Sequence, residues 1–102
     1  MEKRKRLRSE GALREARSEP CVVCGCKSDA AHVRSRGSGG GDEPANLMPL
    51  CRRHHSEQHS GGWHRFANAH MSVMEALWRR GWRFELTPPV WKLVKASGGE
   101  EE

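Results

Sequence analysis

Long apolar runs are missing from this sequence of 102 residues. No stretch approaches the roughly eighteen consecutive apolar residues that cross a bilayer, and no apolar segment of the signal-peptide type follows the basic N-terminus. We therefore expect a cytoplasmic protein that does not enter a membrane. Hydrophobic residues make up only 35% of the chain, so the core is small and additional stabilisation is expected.

The chain is basic, with 30% charged residues and a net charge of +5. Such a surface suits a polyanion such as nucleic acid, although solubility alone would also account for it. Residues 1–19 are too polar to build a core and are predicted to be a flexible or marginally helical arm. The arm would lie along DNA phosphates by charge, or would be a solvated tail without a role. Its most basic run is Lys3, Arg4, Lys5 and Arg6.

The cysteines have the spacing of metal ligands. Without a signal peptide, and with histidines close by, metal ligation is favoured over a disulfide framework. Cys21 and Cys24 are separated by two residues, and Gly25 permits a tight turn after them. A second pair with the same spacing, Cys51 and His54, completes a four-ligand set for a structural Zn²⁺ ion. The remaining cysteine, Cys26, is a spare thiol or an alternative ligand.

The histidines after Cys51 are spaced for a helix over about residues 52–60, which Gly61 and Gly62 end. His55 and His59 are four residues apart and share one helix face, whereas His54 is turned about 100° away. This spacing indicates a second metal site on His55 and His59, with a solvated histidine pair as the alternative. Upstream, short strands are predicted over 30–33 and 46–50, separated by a glycine-rich loop.

The order of these elements resembles the HNH endonucleases of the ββα-metal superfamily, and is most similar to small phage-type proteins of the recombination-nuclease kind. The resemblance covers about residues 20–66. It implies that His32 is the general base that activates water. It also implies that Asn46 holds the loop and the base in place, and that His55 and His59 bind the catalytic ion.

One position departs from the family pattern. Many relatives carry a further ligand immediately before the base, where this chain has Ala31. Asp29 lies two residues back, on the same side of a strand, and is our tentative substitute. The other possibility is that His55 and His59 hold the ion with only solvent and phosphate oxygens.

The resemblance further implies hydrolysis of DNA to 5′-phosphate and 3′-hydroxyl ends with Mg²⁺ or another divalent ion, in a bacterial or phage-infected cell. Arg34 and Arg36 follow the base and are placed to bind neighbouring phosphates. The alternative function is a catalytically silent zinc module that binds DNA or a phage assembly partner. A protein partner is compatible with either function.

The predicted fold is therefore α+β: a small zinc-stapled ββα-metal finger with flanking C-terminal helices. Residues 1–19 form the basic arm, 20–66 the nuclease core, 67–96 its support and 97–102 an acidic disordered tail. Within the support, Ser72 begins a capping-box pattern that predicts a helix from about Val73 to Arg80. Residues 82–86 alternate like a strand, and residues 90–94 pack back on the domain or bind a partner.

Overall fold

A computed structural model describes residues 8–35, 37 and 39–95. Over these residues the chain is α+β, with three α-helices and two antiparallel sheets of two strands each. It forms two compact units, Met1–His55 and Ser56–Glu102. The predictions made for Lys3 to Arg6, for Arg36 and for the acidic tail lie outside the described residues.

The first unit is built on strands β1 (Asp29–His32) and β2 (Leu47–Leu50), which pair antiparallel with His32 opposite Leu47. All residues of β2 are buried, and Ala31 of β1 is fully buried as well. Both predicted strands are thus confirmed to within one residue. A short 3-10 turn (Pro44–Asn46) leads from the glycine-rich loop into β2.

Helix α1 (Glu10–Ser18) packs against both strands, so of the two alternatives for the arm the helical one applies to this stretch. Ser9 caps the helix, because its Oγ accepts a hydrogen bond from the backbone N–H of Ala12 at 3.0 Å. The apolar residues are few, but helical spacing gathers them on one half-buried face. These residues are Ala12, Leu13 and Ala16.

Helix α2 (Arg52–Ala69) begins directly after Cys51, the cysteine of the second candidate ligand pair. Gly62 has φ 83° and ψ 165°, a conformation outside the helical region that interrupts the helix. The predicted break is confirmed at Gly62, and the helix resumes beyond it. No helix in the described part of the chain is both long and apolar enough to cross a bilayer.

The second unit adds helix α3 (Met71–Arg79) and a hairpin of β3 (Trp82–Thr87) and β4 (Val90–Lys95). The predicted helix start behind a Ser72 cap is wrong: α3 begins at Met71 after His70, whose side chain makes no capping hydrogen bond. The residue at which α3 begins is decided by burial, because the apolar residues of this helix pack into the core of the second unit. That core consists of Phe66, Ala67, Val73, Ala76, Leu77 and Trp82.

Candidate functional site

The first ligand pair lies on a tight turn that the backbone closes. The N–H of Gly25 donates to the carbonyl of Cys21, and the N–H of Cys21 donates to the carbonyl of Cys26, both at 2.9 Å. Gly25 has φ 79°, which a residue with a side chain rarely adopts. A further hydrogen bond, from the N–H of Val22 to the carbonyl of Pro49 at 3.1 Å, attaches the turn to β2. The two ligand pairs are thereby brought together.

The donor atoms of Cys21, Cys24, Cys51 and His54 all lie within 4.8 Å of one another. The sulfur atoms of Cys24 and Cys51 are 3.7 Å apart, and Nδ1 of His54 lies 3.2 Å from the sulfur of Cys51. Zinc–sulfur bonds of about 2.3 Å in a tetrahedron place sulfur atoms roughly 3.8 Å apart. The cluster therefore fits a metal ion such as zinc. Cys26 is exposed and stands outside it.

The thiols of the cluster differ in acidity. Burial by itself raises the pKa of Cys21, but backbone N–H donors, chiefly that of Cys51, outweigh burial and lower this pKa from 9.0 to about 6. For Cys51, the backbone N–H of His54 lowers the pKa, yet burial and the neighbouring sulfur atoms raise it overall. Without an ion the cluster thus favours a thiolate at Cys21, and metal binding would displace the remaining thiol protons.

His32 lies at the end of β1 with its side chain 19% exposed, and its Nε2 is 2.8 Å from Oδ1 of Asp42. The side chain of Asp42 is only 1% exposed. Its other oxygen, Oδ2, accepts a hydrogen bond from the backbone N–H of Ser9 at 2.9 Å. The imidazole expected to act as the base is therefore held by a buried carboxylate while part of the ring stays open to solvent.

Asn46 closes the loop that follows His32. Its Oδ1 accepts from the N–H of Arg34 at 2.8 Å, and its Nδ2 donates to the carbonyls of Arg34 at 3.0 Å and Gly41 at 2.8 Å. A β-carbon at Gly40 would collide with the backbone of Arg34 and lie 2.8 Å from Nδ2 of Asn46, so only glycine fits there. This is the loop-holding role that the resemblance implies for Asn46.

The residues expected to bind the catalytic ion are assembled less completely. Nδ1 of His55 lies 3.8 Å from Oδ2 of Asp29, and Nε of Arg52 lies 3.8 Å from the same oxygen. Asp29 and His55 are thus brought together, as the tentative assignment of Asp29 requires. His59 is exposed one turn further along α2. Among the described residues, neither His55 nor His59 belongs to a set of three ligand atoms within 4.8 Å.

The remaining positions of the predicted site are also placed. Ala31, at the position of the missing family ligand, is fully buried in the core of the first unit. Arg34, two residues after His32 in the chain, is exposed, and its backbone is held by Asn46.

A sequence model for the family described as "Protein of unknown function (DUF968)" matches residues 1–80. The chain belongs to the DUF968 family. A curated relative is the uncharacterized protein YdfU of Escherichia coli (strain K12), which is 37% identical over 62 residues. That match covers 57% of this chain and 18% of YdfU. No solved structure matches the chain.

The DUF968 match includes the Cys/His cluster, the His32 loop and the whole of helices α2 and α3. Since the family is described as having no known function, the chemistry has to be argued from the residues themselves. Two participants, Asp42 and Ser9, were missed by sequence reasoning. An acidic residue after a glycine-rich loop is usually solvated, and the sequence carried no signal that Asp42 is buried against His32.

Proposed function

We propose that the protein is a metal-dependent HNH-type endonuclease that hydrolyses DNA phosphodiester bonds. One observation carries the proposal: the partly exposed imidazole of His32 stands at the end of β1, and the side chain of Asn46 ties down the loop behind it with three hydrogen bonds. A zinc knuckle needs neither residue. The order of β1, β2 and α2 and the family resemblance support a ββα-metal finger.

The chemistry follows from the anionic substrate. Hydrolysis of a phosphodiester needs an activated water, neutralisation of charge on the phosphate oxygens and stabilisation of the leaving alkoxide. His32 would accept the proton of the attacking water, the role that histidine side chains most often take in general acid–base catalysis. The exposed Arg34 would bind a neighbouring phosphate.

Two ions have separate roles in this proposal. Cys21, Cys24, Cys51 and His54 hold a structural zinc, which stabilises a chain with a small core. Asp29 and His55, with His59, hold a catalytic divalent ion such as Mg²⁺. When bound, that ion supplies positive charge at the scissile phosphate and at the leaving 3′-oxygen. The carboxylate of Asp29 stands in for the ligand that Ala31 cannot provide.

The proposal is tested by nicking of supercoiled plasmid with the zinc-loaded full chain and Mg²⁺ or Mn²⁺. His32→Ala should slow cleavage by at least about 100-fold, the usual contribution of a general base. The matched control is His64→Ala, because His64 stacks on Trp91 at 4.8 Å in the second unit and has no part in the proposed chemistry. Its rate should stay near wild type. The ends produced should be ligatable without prior phosphorylation.

Equal cleavage by wild type and His32→Ala would contradict the proposal, as would intact plasmid with both proteins across several divalent ions. Equal cleavage would mean that His32 is not the base. Intact plasmid would leave the alternative of a zinc module without catalysis, for which the core alanine at position 31 is the supporting observation. Retention of labelled DNA in a gel would then identify a DNA-binding module, and its absence would favour a protein partner.

A further inference from the structure

Asp42 is a buried carboxylate in which both oxygens have defined partners. Oδ1 contacts Nε2 of His32 at 2.8 Å, and Oδ2 accepts the backbone N–H of Ser9 at 2.9 Å. Removing a carboxylate from water costs several kcal/mol unless such partners compensate. The side chain is nevertheless only 1% exposed, whereas the adjacent Glu43 is exposed. The loop is therefore folded so that this particular carboxylate faces the imidazole.

The pairing determines which nitrogen of His32 carries a proton. An ionised carboxylate only accepts hydrogen bonds, so Nε2 of the ring must be the donor. In the neutral imidazole the lone pair is then on Nδ1. A general base needs that free lone pair directed at the attacking water, and a carboxylate on the opposite nitrogen fixes both tautomer and ring orientation.

We infer that Asp42 is a positioning residue for His32, holding it as the Nε2–H tautomer with Nδ1 as the proton acceptor. The inference rests on the proposed nuclease function, because it names the nitrogen through which the base acts. Ser9 caps helix α1 through its hydroxyl and holds Asp42 through its backbone N–H. The start of α1 is therefore part of the support of the catalytic centre.

The tautomer is measured directly by ¹⁵N NMR of the imidazole groups in the zinc-loaded full chain, at a pH where His32 is neutral. The His32 signals are identified by their absence from His32→Ala. Wild type should show a protonated Nε2 and an unprotonated Nδ1. In Asp42→Asn the amide can donate to Nε2, so Nδ1–H should become populated. Glu43→Gln removes the same charge from the neighbouring exposed residue and should leave the signals unchanged.

A wild-type spectrum with His32 as the Nδ1–H tautomer would overturn the inference, and this measurement does not depend on the folding of any variant. The inference also fails if a folded Asp42→Asn protein keeps the wild-type tautomer.

Kinetics separate this inference from the proposed function. In single-turnover cleavage Asp42→Asn should lower the rate constant at least about tenfold, as loss of a supporting hydrogen bond does. DNA affinity should be unchanged, and Glu43→Gln should match wild type. If wild type cleaves and folded Asp42→Asn cleaves equally well, the positioning role is wrong while the nuclease proposal stands. If wild type does not cleave at all, the nuclease proposal is wrong and the tautomer measurement still decides what Asp42 does.

Discussion

The two groups of ligand residues in this protein differ in how completely the fold assembles them. The Cys/His cluster brings its four donor atoms within 4.8 Å of one another. Asp29 and His55 lie 3.8 Å apart, with no third ligand atom completing their set among the described residues. A structural ion requires a closed shell of protein ligands, whereas a catalytic ion keeps open positions for water and substrate. The closed Cys/His cluster therefore suits a structural ion, and the incomplete Asp29–His55 pair suits a catalytic one.

The largest expected effect is loss of the closed cluster. Cys51→Ser should release the zinc and unfold the first unit. Structural zinc binds with roughly 10–16 kcal/mol in zinc-finger peptides, which matches or exceeds the total stability of about 5–15 kcal/mol of a typical domain. Zinc content by mass spectrometry and thermal unfolding by circular dichroism measure both consequences.

Cys26→Ser is the matched control, because Cys26 is exposed and stands outside the cluster. It should retain about one zinc per chain and the wild-type unfolding temperature. A Cys51→Ser protein that stays folded without zinc would show that the cluster does not stabilise the fold. The cluster could then no longer be contrasted, as a structural site, with the Asp29–His55 pair.

A smaller effect on stability is expected for the loop that follows His32. Asn46→Ala removes three hydrogen bonds at a buried position and leaves backbone groups of Arg34 and Gly41 without that partner. We expect a loss of about 1–3 kcal/mol in the free energy of unfolding, with zinc retained. Urea denaturation measures it.

Asn68→Ala provides the comparison, since the Asn68 side chain donates to the carbonyl of His64 at an exposed position. Its cost should be within about 0.5 kcal/mol. If both asparagine variants are equally stable, the loop does not depend on Asn46, and its role would have to be sought in contact with substrate.

The smallest effect on stability is expected at His55, a proposed ligand of the catalytic ion. His55→Ala should change the free energy of unfolding by no more than about 1 kcal/mol, because no closed set depends on it. It should nevertheless raise the Mn²⁺ concentration needed for half-maximal cleavage by at least about tenfold. Titration of the divalent ion in the plasmid assay measures the shift.

His59→Ala should shift the Mn²⁺ requirement less than His55→Ala does, because His55 has the carboxylate of Asp29 at 3.8 Å and His59 is exposed. A larger shift for His59→Ala would reverse the assignment of the principal ligand. If neither variant changes the Mn²⁺ concentration needed for half-maximal cleavage, neither histidine of α2 binds the catalytic ion.

Prediction from sequence succeeded where the signal is local. The ligand spacing of Cys21 with Cys24, and of Cys51 with His54, is set by a turn and by the beginning of a helix, so it could be read from the sequence. The strands flanking the glycine-rich loop and the interruption at Gly62 follow from local composition in the same way. The nuclease chemistry is a hypothesis that rests on resemblance and geometry.

Prediction was open or wrong where the outcome depends on distant partners. The sequence left residues 1–19 either flexible or marginally helical, and helix α1 is half-buried on one face where it packs against β1 and β2. The sequence also left open whether residues 90–94 pack back or bind a partner, and the structure pairs them with β3. The start of α3 depends on which apolar residues reach the core, and a capping pattern at Ser72 does not override that.

The sequence by itself determined the metal-ligand set, because four ligands in two short motifs are specified by spacing alone. It also placed His32 and Asn46 on either side of a glycine-rich loop, in which Gly40 leaves no room for a side chain. Tertiary structure alone decided that Asp42 is buried against His32 and held by Ser9, since a carboxylate leaves water only where folding supplies partners from other segments. The orientation of the proposed base is therefore a property of the folded chain and of no single motif.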